Sequence, residues 1–133
     1  MIVVDSNVIA YYWVNNPLTK VAQRVHMKDP DWHAPILWRS ELRNILSGYL
    51  RNGNLDRSEI GRLMAAAEEM FEDREHLVPS TLVLDIVNTT RLSAYDAEFV
   101  ALATALSAPL LTADRAVLKA FPGQAITMEA FLA

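Results

Sequence analysis

Four carboxylates carry the chemistry that can be read from this chain: Asp5, Glu41, Asp96 and Asp114. Their positions matter more than their number. Asp5 follows the β-branched run Ile2-Val3-Val4, and Asp114 follows the apolar segment Leu110-Leu111-Thr112 by two residues. In an open parallel sheet, ligands bind outside the carboxyl ends of the strands, so two acids just past two strands belong at one edge. Asp96 falls on the side of its helix that carries Val100 and Ala103, at about 100° per residue. A carboxylate on such a face needs a partner, a proton or a metal ion. Glu41 lies in Ser40-Glu41-Leu42-Arg43-Asn44, beside the apolar stripe of its helix. Clustered carboxylates repel one another unless cations stand between them. Oxygen ligands without histidine or thiolate partners suit Mg²⁺ or Mn²⁺ rather than Zn²⁺.

Each acid also has a purely structural reading. Asp5 can be a turn or cap aspartate, and Asp114 an N-cap. Ser93-Ala94-Tyr95-Asp96 has the form of a capping box with Asp96 at the third helical position, which leaves a carboxylate oxygen free for other work. Glu41 taken alone reads as a solvated glutamate. Glu98, on the flank of Asp96, can be a further ligand, a group that orients one, or a surface acid. The argument rests on the set.

The elements that must position these acids follow from periodicity and turn residues. Strand 1 is expected over 2–5 and a helix over about 6–13. A second helix starts at Pro17 and carries Leu18, Val21, Ala22 and Val25. Asp29-Pro30-Asp31 ends it, and Trp32 to Pro35 reads as a short strand that Pro35 weakens. Trp38, Leu42, Ile45, Leu46 and Tyr49 form one helical stripe. Asn52-Gly53-Asn54 closes that helix. Asp56 or Ser58 opens the next, with Ile60, Leu63, Met64, Ala67 and Phe71 as its stripe, so the two read as a helical hairpin. Leu77-Val78-Pro79 is a short apolar piece before a helix over 81–91. Ser93 caps a helix that buries Phe99, Val100, Ala103 and Leu106. A strand over 109–112, a helix over 114–121 and a last strand over 125–127 complete the chain. Strands alternating with helices give an α/β fold with a mainly parallel sheet, in a single domain over 1–133.

Composition agrees. The chain has 133 residues, 52% hydrophobic and 21% charged, an ordinary globular balance. It has no cysteine, which excludes disulfides, thiolate zinc sites and a cysteine nucleophile. No stretch reaches the roughly 18 apolar residues of a membrane span. The start Met1-Ile2-Val3-Val4-Asp5 lacks the basic region of a signal peptide; the expected location is cytoplasmic. Net charge is −4, from 12 basic and 16 acidic residues. That argues against bulk electrostatic binding of nucleic acid. With four acids assigned to one metal site, however, the remaining acids equal the bases. A metal-dependent enzyme acting on a polyanion is therefore compatible with the charge.

In order along the chain, Ile2-Val3-Val4-Asp5-Ser6-Asn7-Val8, Ser40-Glu41-Leu42-Arg43-Asn44, Leu92-Ser93-Ala94-Tyr95-Asp96-Ala97 and Leu110-Leu111-Thr112-Ala113-Asp114-Arg115 resemble the PIN-domain ribonucleases, most of all the small VapC-type toxins of toxin–antitoxin pairs. The resemblance spans essentially the whole chain. It implies a three-layer PIN-like fold, a twisted parallel sheet flanked by helices with acids gathered at its carboxyl edge. It implies that Asp5, Glu41, Asp96 and Asp114 match the family's acidic quartet, and that Ser6, Asn7 and Thr112 match polar positions beside it. It further implies Mg²⁺- or Mn²⁺-dependent cleavage of RNA, a homodimer, and a small antitoxin that blocks the site.

The expected mechanism is metal-assisted phosphodiester hydrolysis. Asp5, Asp96 and Asp114 hold one or two ions, Glu41 acts as ligand or orients water, and Asn7 and Thr112 orient ligands. Arg43 and Arg115, each near a quartet position, are the preferred phosphate contacts; Arg39 and Arg91 are weaker candidates. Tryptophans and tyrosines can stack on bases, although most are expected in the core or an interface. His26, His33 and His76 show no metal spacing. A phosphoacceptor receiver domain lacks its acceptor aspartate and downstream lysine here, and a haloacid-dehalogenase-type phosphatase lacks its second aspartate, Asn7 standing in that place. The remaining alternative is a PIN-like binding module without turnover.

Overall fold

The computed structural model describes residues 1–133. Five strands form one sheet in the order β3-β2-β1-β4-β5, every neighbouring pair parallel. They are β1 (Ile2–Val4), β2 (Trp32–Pro35), β3 (Glu75–His76), β4 (Leu110–Leu111) and β5 (Ala125–Ile126). β1 is central and fully buried, as its unbroken β-branched run requires of a strand covered on both faces. Val3 pairs with His33 of β2 on one side and with Leu110 of β4 on the other.

Eight helices connect the strands: α1 (Ser6–Trp13), α2 (Thr19–Lys28), α3 (Trp38–Arg51), α4 (Arg57–Met70), α5 (Ser80–Thr89), α6 (Ala94–Leu106), α7 (Arg115–Ala120) and α8 (Met128–Leu132). They fall into two packed groups. α6 lies against β1, β2 and β4 and pairs with α5; α1 packs on α2, α3 and α4, and α2 on α8. α6 is the most enclosed helix. Its small and branched residues Ala97, Val100, Ala101 and Ala103 are buried together with Phe99 and Leu102. Trp38, Leu42 and Leu46 are the buried stripe of α3, and Trp38 meets Phe71 at a ring distance of 4.8 Å.

Helix starts follow the cap residues. Asp5, Asp56, Ser93, Asp114 and Thr127 each accept a hydrogen bond from a backbone N–H in the first turn that follows. Asp56 and Glu59 complete a capping box. At Ser93 the box is half formed: its hydroxyl accepts from the Asp96 N–H at 3.1 Å, and the Asp96 carboxylate does not reciprocate.

One local expectation is corrected, and two short elements are added. The second helix begins at Thr19 rather than Pro17, because Asn16 binds the Leu18 N–H and Thr19 caps the Asn16 N–H in a turn. A strand not expected from the sequence, Glu75–His76, follows α4 just before the apolar piece Leu77-Val78-Pro79, in which Leu77 is exposed. Helix α8 is present beyond the last strand, too short to show a periodic pattern. Pro35 is tolerated for a specific reason. The N–H groups of Ala34 and Ile36 point to β3 and bond Arg74 and His76 carbonyls. The N–H that proline lacks would point to the β1 side, past the end of that strand.

Candidate active site

The strand order reverses direction at β1. The chain leaves β1 toward β2 and β3, and leaves β4 toward β5. Connections diverging in this way open a crevice at the carboxyl edge between β1 and β4. Asp5 is the residue after β1 and caps α1; Asp114 lies beyond β4 and caps α7. Glu41 sits in the first turn of α3 and Asp96 in the first turn of α6. All four line one cleft of about 400 Å³, together with Ser6, Asn7 and Thr112.

Asp5 is the most constrained of the four. Its Oδ1 accepts from the Val8 N–H at 3.0 Å, and its Oδ2 accepts from the Thr112 hydroxyl. Thr112, itself buried, also accepts the Asp114 N–H at 3.0 Å, so one hydroxyl ties the loops after β1 and β4 together. Burial pushes the Asp5 carboxyl up to about 6, against the lowering effect of Thr112 and the α1 backbone, with Glu41 adding repulsion. Ser6, also buried, donates to Glu41 Oε1 at 2.8 Å. Burial raises the Glu41 pKa, Ser6 opposes this, and the charge of Asp96 adds to it. Asp96 is raised by burial and by the charge of Asp114. Like charges brought together in a half-buried cleft hold protons more tightly and attract cations.

The remaining candidates are distributed around this centre. Asn7 lines the cleft but is exposed, and its backbone N–H rather than its amide serves Asp5. Glu98 is not part of the lining; burial and the charge of Glu41 raise its pKa. Arg43 donates to the Ser40 hydroxyl at 3.1 Å and lines a separate groove between α3 and α4. Arg115 is exposed at the start of α7. Arg39 is committed elsewhere, paired with Glu75 and Glu68 at 2.7 Å each. Tyr95 is 65% exposed and lines the cleft next to Asp96. Two polar lining residues were missed in the sequence, Ser40 and Asn44. The signal was available for Asn44, which lies one helical turn beyond Glu41.

As arranged, no three acidic or imidazole side chains converge tightly enough to enclose an ion. The fit to a divalent cation rests on donor chemistry. Four carboxylates, hydroxyls and amide groups face the cleft, with no thiolate or imidazole among them, which suits a hard cation. The histidines are engaged away from it. His33 Nε2 donates to Asp31 at 2.9 Å, and its Nδ1 faces His76 Nε2 at 2.8 Å.

Comparison with known proteins agrees with this fold. The family model described as PIN domain matches residues 2–122. Ribonuclease VapC3 of Pyrobaculum aerophilum is 28% identical over 124 residues, covering 91% of this chain and 95% of that protein. The crystal structure of PAE2754 from Pyrobaculum aerophilum superposes with a TM-score of 0.77 at 23% identity, over 98% of this chain and 85% of that one; it supports the fold.

Proposed function

The chain belongs to the PIN domain family, and on that premise we propose that it is a divalent-metal-dependent endoribonuclease, the toxin of a toxin–antitoxin pair. The observation that carries the reading is the meeting of Asp5, Glu41, Asp96 and Asp114 in one cleft at the carboxyl edge of a parallel sheet. Similarity to a VapC ribonuclease along nearly the whole of both chains supports RNA as substrate and a small antitoxin as partner. A homodimer is proposed on the family resemblance. No helix is long and apolar enough to cross a membrane, and an RNA substrate is consistent with work in the cytoplasm.

Asp5, Glu41, Asp96 and Asp114 would hold one or two Mg²⁺ or Mn²⁺ ions. When bound, the ion supplies Lewis acidity, offsetting charge on phosphate oxygens and easing loss of a proton from water. Asp5 is held at both oxygens by Thr112 and the α1 backbone, so it presents its remaining lone pairs in a fixed direction. Glu41 is aimed by Ser6 and has a raised proton affinity, which fits it to take the proton of the attacking water. Tyr95 is placed at the cleft to stack on a base. Arg115 and Arg43 are the proposed contacts to flanking phosphates.

The test is a titration of Mn²⁺ and Mg²⁺ into purified protein with a mixed single-stranded RNA, alongside Asp5→Asn and Asp96→Asn. Metal-dependent cleavage lost in both variants is the expected result. Metal binding and cleavage absent from the wild type would replace the nuclease with a PIN-like binding module, and cleavage undiminished in the variants would overturn the assignment of Asp5 and Asp96 to the site.

A further inference from the structure

The seam between α1 and α3 continues beyond the carboxylates. On α1, Asn7 and Tyr11 stand one turn apart; on α3, Glu41, Ile45 and Tyr49 follow at the same spacing. Residues four apart share a helix face, so two rows run side by side where α1 packs on α3. The near end of the seam is the Ser6–Glu41 hydrogen bond. The far end opens into a second pocket of about 380 Å³, walled by Tyr11, Tyr49 and Leu18. Asn7 and Ile45 line both this pocket and the catalytic cleft, so the two adjoin. From Glu41 to Tyr49 is about 12 Å along the helix at 1.5 Å per residue, within reach of a nucleotide flanking the bond to be broken.

The lining selects among the parts of an RNA chain. No lysine or arginine is present, so a phosphate placed here would have no cation. The walls are two partly exposed phenol rings with aliphatic neighbours, which is the surface a planar heterocycle stacks on. Polar capacity is left over as well. Tyr11 accepts hydrogen bonds from Asn16 and Thr19 only at its backbone carbonyl, leaving its hydroxyl uncommitted. Asn7 lines both cavities from an exposed position, and its side-chain amide makes no hydrogen bond within the fold. An amide offers one acceptor and two donors, the pattern that reads the edge of a base. Asn16, by contrast, is consumed in the floor: its Oδ1 accepts from the Leu18 N–H at 2.8 Å and its amide donates to the Val14 and Tyr11 carbonyls. The floor is therefore fixed while the walls are open to a ligand.

We propose that this pocket is a nucleobase subsite. The base of a nucleotide next to the scissile phosphate leaves the stack, seats against Tyr11 and Tyr49, and presents its edge to Asn7. The inference rests on the ribonuclease reading of the carboxylate cleft and extends it from a backbone-cleaving centre to one that selects where along RNA it cuts.

The experiment uses a labelled single-stranded RNA that the wild type cleaves at a mapped bond, remade with one abasic nucleotide at each position in turn. Cleavage with Mn²⁺ is measured for wild type, Tyr49→Ala and Tyr49→Phe, with thermal melting as a check on folding. One abasic position near the cleaved bond should lower kcat/KM about 5- to 150-fold, the range of a lost stack on an aromatic ring. Tyr49→Ala should lower cleavage of intact RNA by a similar factor, the two losses should not add, and Tyr49→Phe should keep the sensitivity. Efficient cleavage with no sensitive position, or losses that add fully, overturns the subsite and leaves the ribonuclease standing. Absence of metal-dependent cleavage of any RNA overturns the ribonuclease reading, and the subsite with it.

Discussion

The Ser6 hydroxyl donates to Glu41 Oε1 at 2.8 Å, joining the first residue of α1 to the first turn of α3 across 35 positions of chain. Ser6 is 6% exposed, so the bond lies where water competes poorly. It is the one side-chain contact that orients Glu41 toward the other three acids. A hydrogen bond to a charged group contributes about 1.5–3 kcal/mol.

Ser6→Ala should therefore leave Glu41 free to turn and lower kcat roughly 10- to 100-fold, on the scale of one charge-assisted hydrogen bond. KM should move little, because the buried serine hydroxyl is already committed to Glu41. Single-turnover cleavage with saturating Mn²⁺ reads the effect. An unchanged kcat in a folded variant would remove Glu41 from the proton-transfer role.

Thr112 serves two loops at once, donating to Asp5 and accepting from the Asp114 N–H. Thr112→Val keeps the shape and removes both bonds. It leaves a buried carboxylate oxygen and a backbone donor without partners, which should cost about 1–3 kcal/mol of stability. Mn²⁺ affinity should fall roughly 10- to 100-fold, as for other residues that orient ligands. Denaturant unfolding and calorimetric Mn²⁺ titration measure the two effects separately. Stability lost with full metal affinity would make Thr112 a structural tie only.

Acid should weaken the β2–β3 edge in two stages. Burial and the neighbouring His33 lower the His76 pKa below 6.5. Its contribution is complete above that value and erodes as pH falls through the lowered folded pKa. The Arg39 guanidinium holds Glu75 below 4.5, helped by Trp38. That contribution is complete above 4.5 and is lost as pH falls further. His76→Gln should flatten the first decline and Glu75→Gln the second, each measured by urea unfolding between pH 7 and pH 3. The partial exposure of the Arg39–Glu75 pair limits the second effect to about 1 kcal/mol. A stability curve unaltered by either variant would place the acid sensitivity elsewhere.

Much of this was legible in residue order. The β-branched run before Asp5 and the stripe from Trp38 to Tyr49 are local patterns, and so are the caps at Asp56, Ser93 and Asp114. Period and turn chemistry act over a few residues, and tertiary packing left these elements where they read. The parallel class followed from strands alternating with helices, and that class brought Asp5 and Asp114 to one edge. β3 was missed because two residues, Glu75 and His76, carry no apolar pattern. They are a strand only through their parallel pairing with Ala34 and Pro35 of β2.

The sequence by itself determined most of the elements, the fold class and the position of the four acids at one sheet edge, because those depend on short-range spacing and on a topology that short-range spacing implies. The tertiary structure alone decided which neighbour holds each acid. Thr112 meets Asp5 across 107 positions and Ser6 meets Glu41 across 35. It alone, too, joined Tyr11 of α1 to Tyr49 of α3 in one pocket. Contacts at such separations are set by how helices dock on a sheet, a property of the packed whole that no local pattern contains.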